Sequence, residues 1–166
     1  MGVALLAVVA ITSPAFAHVA VGVKSGGGVG RVGMEAEVGL VPPLAAVVGA
    51  TLDPMLFGEG EAFGGDAVMG AGSGYVGGLR WSMLGLGPLR VFLSGYAGLV
   101  TGTRTTDPRP TPIPEGMPWA GATVGLELRL SALRGYVELG RGVGFAAPSY
   151  GNFPVTVVAG SLGVRF

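Results

Sequence analysis

Few side chains in this 166-residue chain could do chemistry, and their spacing narrows the chemistry further. There are ten Lys and Arg, ten Asp and Glu, one His and no Cys. Without cysteine there is neither a thiolate metal site nor a disulfide framework. His18 is the sole imidazole for a Ser–His–acid arrangement, and it stands at the expected start of the mature chain. Glu35 and Glu37 share one face of an extended segment, but carboxylate catalysis needs two acids converging on a cleft; arginine partners explain them better. Glu59, Glu61 and Asp66 in "GEGEAFGGD" offer oxygen ligands without the spacing of an EF-hand, so a solvated acidic loop is the reading. The glycine-rich tracts lack the Lys-Ser/Thr ending of a phosphate-binding loop. The sequence predicts no catalytic residue, no metal ligand and no cofactor.

The remaining charges obey a rhythm. Eight segments of roughly ten residues alternate with period two, the repeat of a strand with two unlike faces. They are residues 18–25, 31–40, 44–53, 74–84, 89–102, 119–130, 134–145 and 155–166. In 31–40, Val32, Met34, Ala36 and Val38 oppose Arg31, Gly33, Glu35 and Glu37. In 119–130, Ala120, Val124, Leu126 and Leu128 oppose Thr123, Gly125, Glu127 and Arg129. Lys24, Arg80, Arg90 and Glu138 also fall opposite the aliphatic row. Arg141 breaks the pattern. A bulge near Gly140 would turn it to the charged side; an Arg at an interface that snorkels is the alternative.

Composition agrees with strands whose oily face has no soluble core to cover. Charged residues are 12%, apolar residues 49% and mean hydropathy +0.62, against about 25% charged in ordinary domains. Zero formal net charge argues against nucleic acid, which selects a basic excess. The 33 glycines argue against long helices.

Residues 1–17 read as a signal peptide: the apolar run "VALLAVVAIT" leads to the small-x-small site Ala15-Phe16-Ala17. The usual basic residue ahead of the run is absent, which leaves the start of the chain open and an N-terminal strand or core helix as the alternative. No later stretch reaches the ~20 apolar residues of a membrane helix, so a membrane protein here must be a barrel. Residues 18–166 are then one all-β domain, an eight-stranded antiparallel up-and-down transmembrane barrel. Its connections alternate in length. "VPPL", "GLGP" and "SALR" are short; residues 54–73, 103–118 and 147–154 are long, and the first outer connection, "GGGV", is the short exception. Outer-membrane barrels have short periplasmic turns and longer outer loops.

The ending "SLGVRF" places Leu162, Val164 and Phe166 at alternate positions with an aromatic last. On this motif and the eight segments, residues 18–166 resemble the small outer-membrane barrels of the OmpA/OmpX type, without a peptidoglycan-binding domain. The resemblance implies the cell envelope of a bacterium, outer-membrane lipid as surroundings, and reading of Leu162, Val164 and Phe166 by the barrel-assembly machinery. Barrel lipases and acyltransferases carry a His-containing site near the outer rim, whereas His18 falls at the opposite end. A non-catalytic monomer is expected.

Two regions of the lumen follow. Glu37, Arg80, Arg90, Glu127, Arg129 and Glu138 form a charge network with Phe92 and Tyr136 beside it, either an ionic core or a gate; an eight-stranded barrel is just wide enough for side chains to fill. Above it, Gly33, Gly49, Gly78, Gly98, Gly121, Gly142 and Gly144, with Val76, Val100 and Thr123, either permit tight curvature or line a vestibule for a small apolar ligand. The proline-rich segment from Pro108 to Pro118 reads as a stiff unpaired loop, and Tyr150 and Phe153 as an aromatic loop tip that touches headgroups or an adhesion partner. Three roles compete: a structural or surface-interaction barrel using its loops, a porin-like transport or binding barrel using the vestibule, and a secreted soluble barrel, which would invert the charge pattern.

Overall fold

The computed structural model describes residues 18–27, 30–53, 56–58, 67–69, 72–105, 111–145 and 152–166; the expected signal segment with Ala15 and Ala17 lies outside them. The described residues form ten strands and no helix: β1 (Val19–Gly27), β2 (Gly30–Val41), β3 (Leu44–Leu52), β4 (Leu56–Gly58), β5 (Ala67–Met69), β6 (Ser73–Leu86), β7 (Leu89–Thr105), β8 (Thr111–Leu130), β9 (Leu133–Phe145) and β10 (Asn152–Arg165). All but β4 and β5 make an eight-stranded antiparallel up-and-down ring. It closes where β1 meets β10, from Ala20↔Arg165 to Gly27↔Val158. The seam continues to Phe166, whose N–H donates to Val19 O at 2.8 Å.

Alternation decides what each face carries. Ala45, Val47, Gly49 and Thr51 of β3 are buried inside, while Leu52 is exposed. Along β8, buried Trp119, Thr123, Gly125 and Glu127 alternate with exposed Ala122, Val124, Leu126 and Leu128. At one end the strands turn on Pro42–Pro43, Gly87–Pro88 and Ser131–Ala132. Gly87 (φ 60°) and Ser131 (φ 57°) adopt the left-handed conformation that such tight reversals need. His18 lies at this turn end; the longer connections lie at the opposite, loop end.

Three expectations change. First, β9 has no bulge at Gly140. Its pairing runs unbroken through Leu139↔Val158, Gly140↔Val157 and Arg141↔Thr156, and through Thr123↔Gly140 on the other side. Glycine supplies the curvature instead: a Cβ on Gly140 would strike Ala122 O of the neighbouring strand. Arg141 therefore stays on the outer face and is exposed.

Second, the proline-rich segment is partly paired. Gly102↔Ile113, Thr103↔Pro112 and Arg104↔Thr111 extend the β7–β8 ladder, whereas β9 joins β8 only from Trp119 onward. Pro112 and Pro114 thus occupy a one-sided edge, where a missing N–H is tolerated. Pro108 and Pro110 lie outside the described residues, as do Tyr150, Glu59, Glu61 and Asp66.

Third, the long connection after β3 contains a hairpin built into the wall. β4 pairs with β10 (Val155↔Gly58, Thr156↔Phe57), β5 pairs with β7 (Ala67↔Thr105, Met69↔Thr103), and β4 pairs with β5. At the loop end the ring consequently runs β10–β4–β5–β7–β8–β9.

Candidate functional site

The lumen holds two layers of different chemistry. Toward the turn end, β1 contributes Lys24, β2 Glu35 and Glu37, β6 Arg80, β8 Glu127 and Arg129, and β9 Arg134 and Glu138. Lys24, Glu35, Glu37, Arg80, Glu127, Arg134 and Glu138 are all buried. Charges so removed from water must be paired and hydrogen-bonded, because desolvation alone would eject them.

Arg80 is the hub. Its Nη1 donates to Glu37 Oε2 at 2.6 Å and to Glu35 Oε1 at 3.5 Å, its Nη2 to Tyr96 Oη at 3.0 Å, and its Nε to Ser94 Oγ at 3.2 Å. Its guanidinium carbon lies 4.4 Å from the Phe92 ring centre and 4.3 Å from that of Tyr136. These rings meet edge to face, 5.3 Å apart at 87°. A desolvated cation over an aromatic face gains about 2 kcal/mol. Glu35 and Glu37, two residues apart in sequence, therefore converge on one guanidinium rather than on an open cleft.

Around the hub every acid meets a base. Lys24 Nζ donates to Glu35 Oε2 at 3.2 Å and forms a close ion pair with Glu138. Glu138 Oε2 also accepts from Tyr96 Oη at 3.0 Å and Thr123 Oγ1 at 2.9 Å. Tyr136 Oη donates to Glu35 Oε2 at 2.6 Å. Arg134 Nη2 donates to Glu37 Oε2 at 2.8 Å, and Arg129 Nε to Glu127 Oε2 at 2.7 Å. Arg134 Nε lies 2.8 Å from Glu127 Oε1, an ion pair in which neither atom is aligned for a hydrogen bond. His18 Nε2 sits 3.0 Å from Glu37 Oε1. Lys24, Arg80, Arg129 and Arg134 thus cancel Glu35, Glu37, Glu127 and Glu138 one for one.

Of the network expected from sequence, Glu37, Arg80, Glu127, Arg129 and Glu138 meet here. Arg90 does not: it is half-buried at the turn end with no acidic partner among the described residues. Glu127 faces it in the β7–β8 register, but both Glu127 oxygens are taken by Arg129 and Arg134. The sequence reading missed Arg134 as a member, and Tyr96 as the hydroxyl that links Arg80 to Glu138. The signal was the parity of Arg134 with Tyr136 and Glu138; its place beside the Ser131–Ala132 turn obscured it.

The loop-end layer is apolar and filled. Tyr96, Val47, Val100, Met117, Trp119, Val155 and Val157 form one buried cluster. Three of the glycines that could have lined a vestibule make room for rings. A Cβ on Gly98 would lie 2.8 Å from Trp119 Nε1, one on Gly78 2.8 Å from Tyr96 Cδ1, and one on Gly121 3.3 Å from Trp119 Cζ3. A cavity between Lys24, Thr51, Val76 and Trp119 measures about 10 Å³, roughly what one water occupies. Among the described residues side chains occupy the space the glycines vacate, which favours close strand contact over the vestibule of the two readings.

Among the described residues no group of three or more His, Cys, Asp or Glu is placed to hold a metal ion. No protein-family model, curated protein or solved structure matches the chain.

Proposed function

We propose that the chain is an integral barrel of a bacterial outer membrane, non-catalytic and plugged, that acts as a structural anchor and presents its loops as the interacting surface. One observation carries the reading: the wall is inside out for a water-soluble protein. Met34, Leu52, Leu86 and Leu162 are at least 67% exposed, while Lys24, Glu35, Glu37, Arg80, Glu127, Arg134 and Glu138 of the ionic cluster are at most 5% exposed. In water this surface would far exceed the few hundred Å² of contiguous apolar patch that monomers tolerate. In a bilayer it is what a closed ring of strands requires.

Further features support the same reading. Tyr75 and Phe145 stand on the outer face toward the loop end, and Trp81 and Phe166 toward the turn end, as the aromatic girdles of such barrels do. Arg141 is the one charge on the outer wall of β9, and near an interface its cost falls to about 0–1 kcal/mol as it snorkels. Leu162, Val164 and Phe166 face outward, available to the barrel-assembly machinery. The filled interior favours an ionic core over a gate or a solute path.

Refolding the full chain in detergent tests this. A heat-modifiable gel band is expected, and brominated lipid should quench outward Trp81 while inward Trp119 stays shielded. A chain that is soluble without detergent and lacks the band shift overturns the membrane reading. Steady conductance in planar bilayers would overturn the plug.

A further inference from the structure

At the turn end, below the neutral plug, lies a second cavity of about 280 Å³, far above the roughly 10–15 Å³ that one water needs. Arg90, Arg129, Arg165, His18 and Ser82 supply its polar lining, with Pro43 also on its wall. Strands β7, β8 and β10, the last two separated by β9, each bring a guanidinium to this space, and Arg165 is within electrostatic reach of Arg90 and Arg129 as well as of the plug acids Glu127 and Glu37.

The charges here do not cancel. Arg129 is matched by Glu127, and His18 touches Glu37. Arg90 and Arg165 have no acidic partner among the described residues. Two half-buried guanidiniums that form no ion pair among the described residues, facing plug acids already bonded to Arg129, Arg80 and Arg134, call for an anion from outside. A guanidinium's planar fork matches two oxygens at once, which favours phosphate-like and carboxylate groups over halide.

We propose that this cup is a binding site for a phosphate-class oxyanion, held between Arg90 and Arg165 with Arg129 and His18 at its edge. The phosphate group is either free or that of an anionic lipid headgroup reaching the turn end. The site belongs to the lumen, so it stands whether or not the outer wall meets lipid; a chain that folds without detergent is titrated without it.

The test is calorimetric titration of the refolded full chain with inorganic phosphate in chloride buffer, alongside monomeric dihexanoylphosphatidylglycerol and the zwitterionic choline analogue. Saturable binding of phosphate assigns a free anion; saturable binding of the glycerol lipid alone assigns a headgroup. In either case Arg90→Gln/Arg165→Gln should weaken binding by about tenfold or more, with Arg141→Gln unchanged. The double variant removes charges that form no ion pair among the described residues, and the heat-modifiable band checks that it folds. A second readout needs no variant: phosphate should raise the wild-type Tm beyond equal ionic strength of chloride. Binding no better than chloride, or retained by the double variant, overturns the proposal.

Discussion

The two layers of the lumen fill the same wall by opposite means. Near the turn end, long ionic side chains from β1, β2, β6, β8 and β9 reach the axis and cancel there. Near the loop end, Trp119 and Tyr96 lie over Gly98 and Gly78, their direct partners on the neighbouring strand, and Met117 packs into the same apolar cluster. In the ionic layer each group depends on several others, so one deletion strands a charge elsewhere. In the aromatic layer each ring depends on its own volume, so damage stays where the atoms were removed. The lesson is that tolerance to substitution differs along one axis of one barrel, although burial does not.

The contrast is broken most severely at the hub. Arg80→Ala removes the shared partner of Glu35, Glu37 and Tyr96 and should cost about 3–5 kcal/mol in urea titration of the detergent-refolded protein. Adding Glu37→Gln restores the charge balance, so part of that loss should return. A double variant no better than the single one would mean that packing, and not charge, holds this layer.

Trp119→Ala comes next, at about 3 kcal/mol, from lost burial plus the cavity left. No second substitution in the ionic layer should rescue it. The space is lined by Val47, Val100 and Met117, and an apolar void of that kind takes up xenon or benzene. Stabilisation of the variant, and not of wild type, by benzene is expected; equal effects on both would show that the layer had collapsed around the missing indole.

The smallest effect sharpens the boundary between layers. Thr123 donates to Glu138 at 2.9 Å, but Tyr96 also serves that oxygen. Thr123→Val should therefore cost only about 1 kcal/mol, read as a shift in urea midpoint. A loss near that of Arg80→Ala would place Thr123 inside the cooperative ionic unit.

Much of this was legible from period two alone. Met34 and Glu35 could be sent to opposite faces because a pleat leaves no third direction, and one face being ionic told which looked inward. Partner choice was not legible. Register sets Arg90 opposite Glu127, but three guanidiniums compete for two oxygens, and reach from β9 wins over adjacency on β7. Nor was the fate of the glycines: small residues mark room, and only the position of Trp119 says what enters it. The β4–β5 hairpin escaped because three-residue strands in a glycine-rich stretch show no period; their pairing depends on the exposed upper edges of β10 and β7.

That hairpin makes the barrel a carrier. The stretch between β4 and β5 begins and ends on strands already zipped into the rim, through Gly58 to Val155 on β10 and Ala67 to Thr105 on β7. A foreign peptide grafted there would be clamped at both ends, and each doubling of its length adds only about 0.6 kcal/mol of closure entropy. An epitope or affinity tag therefore has a natural berth on the rim, away from the residues that hold the interior together.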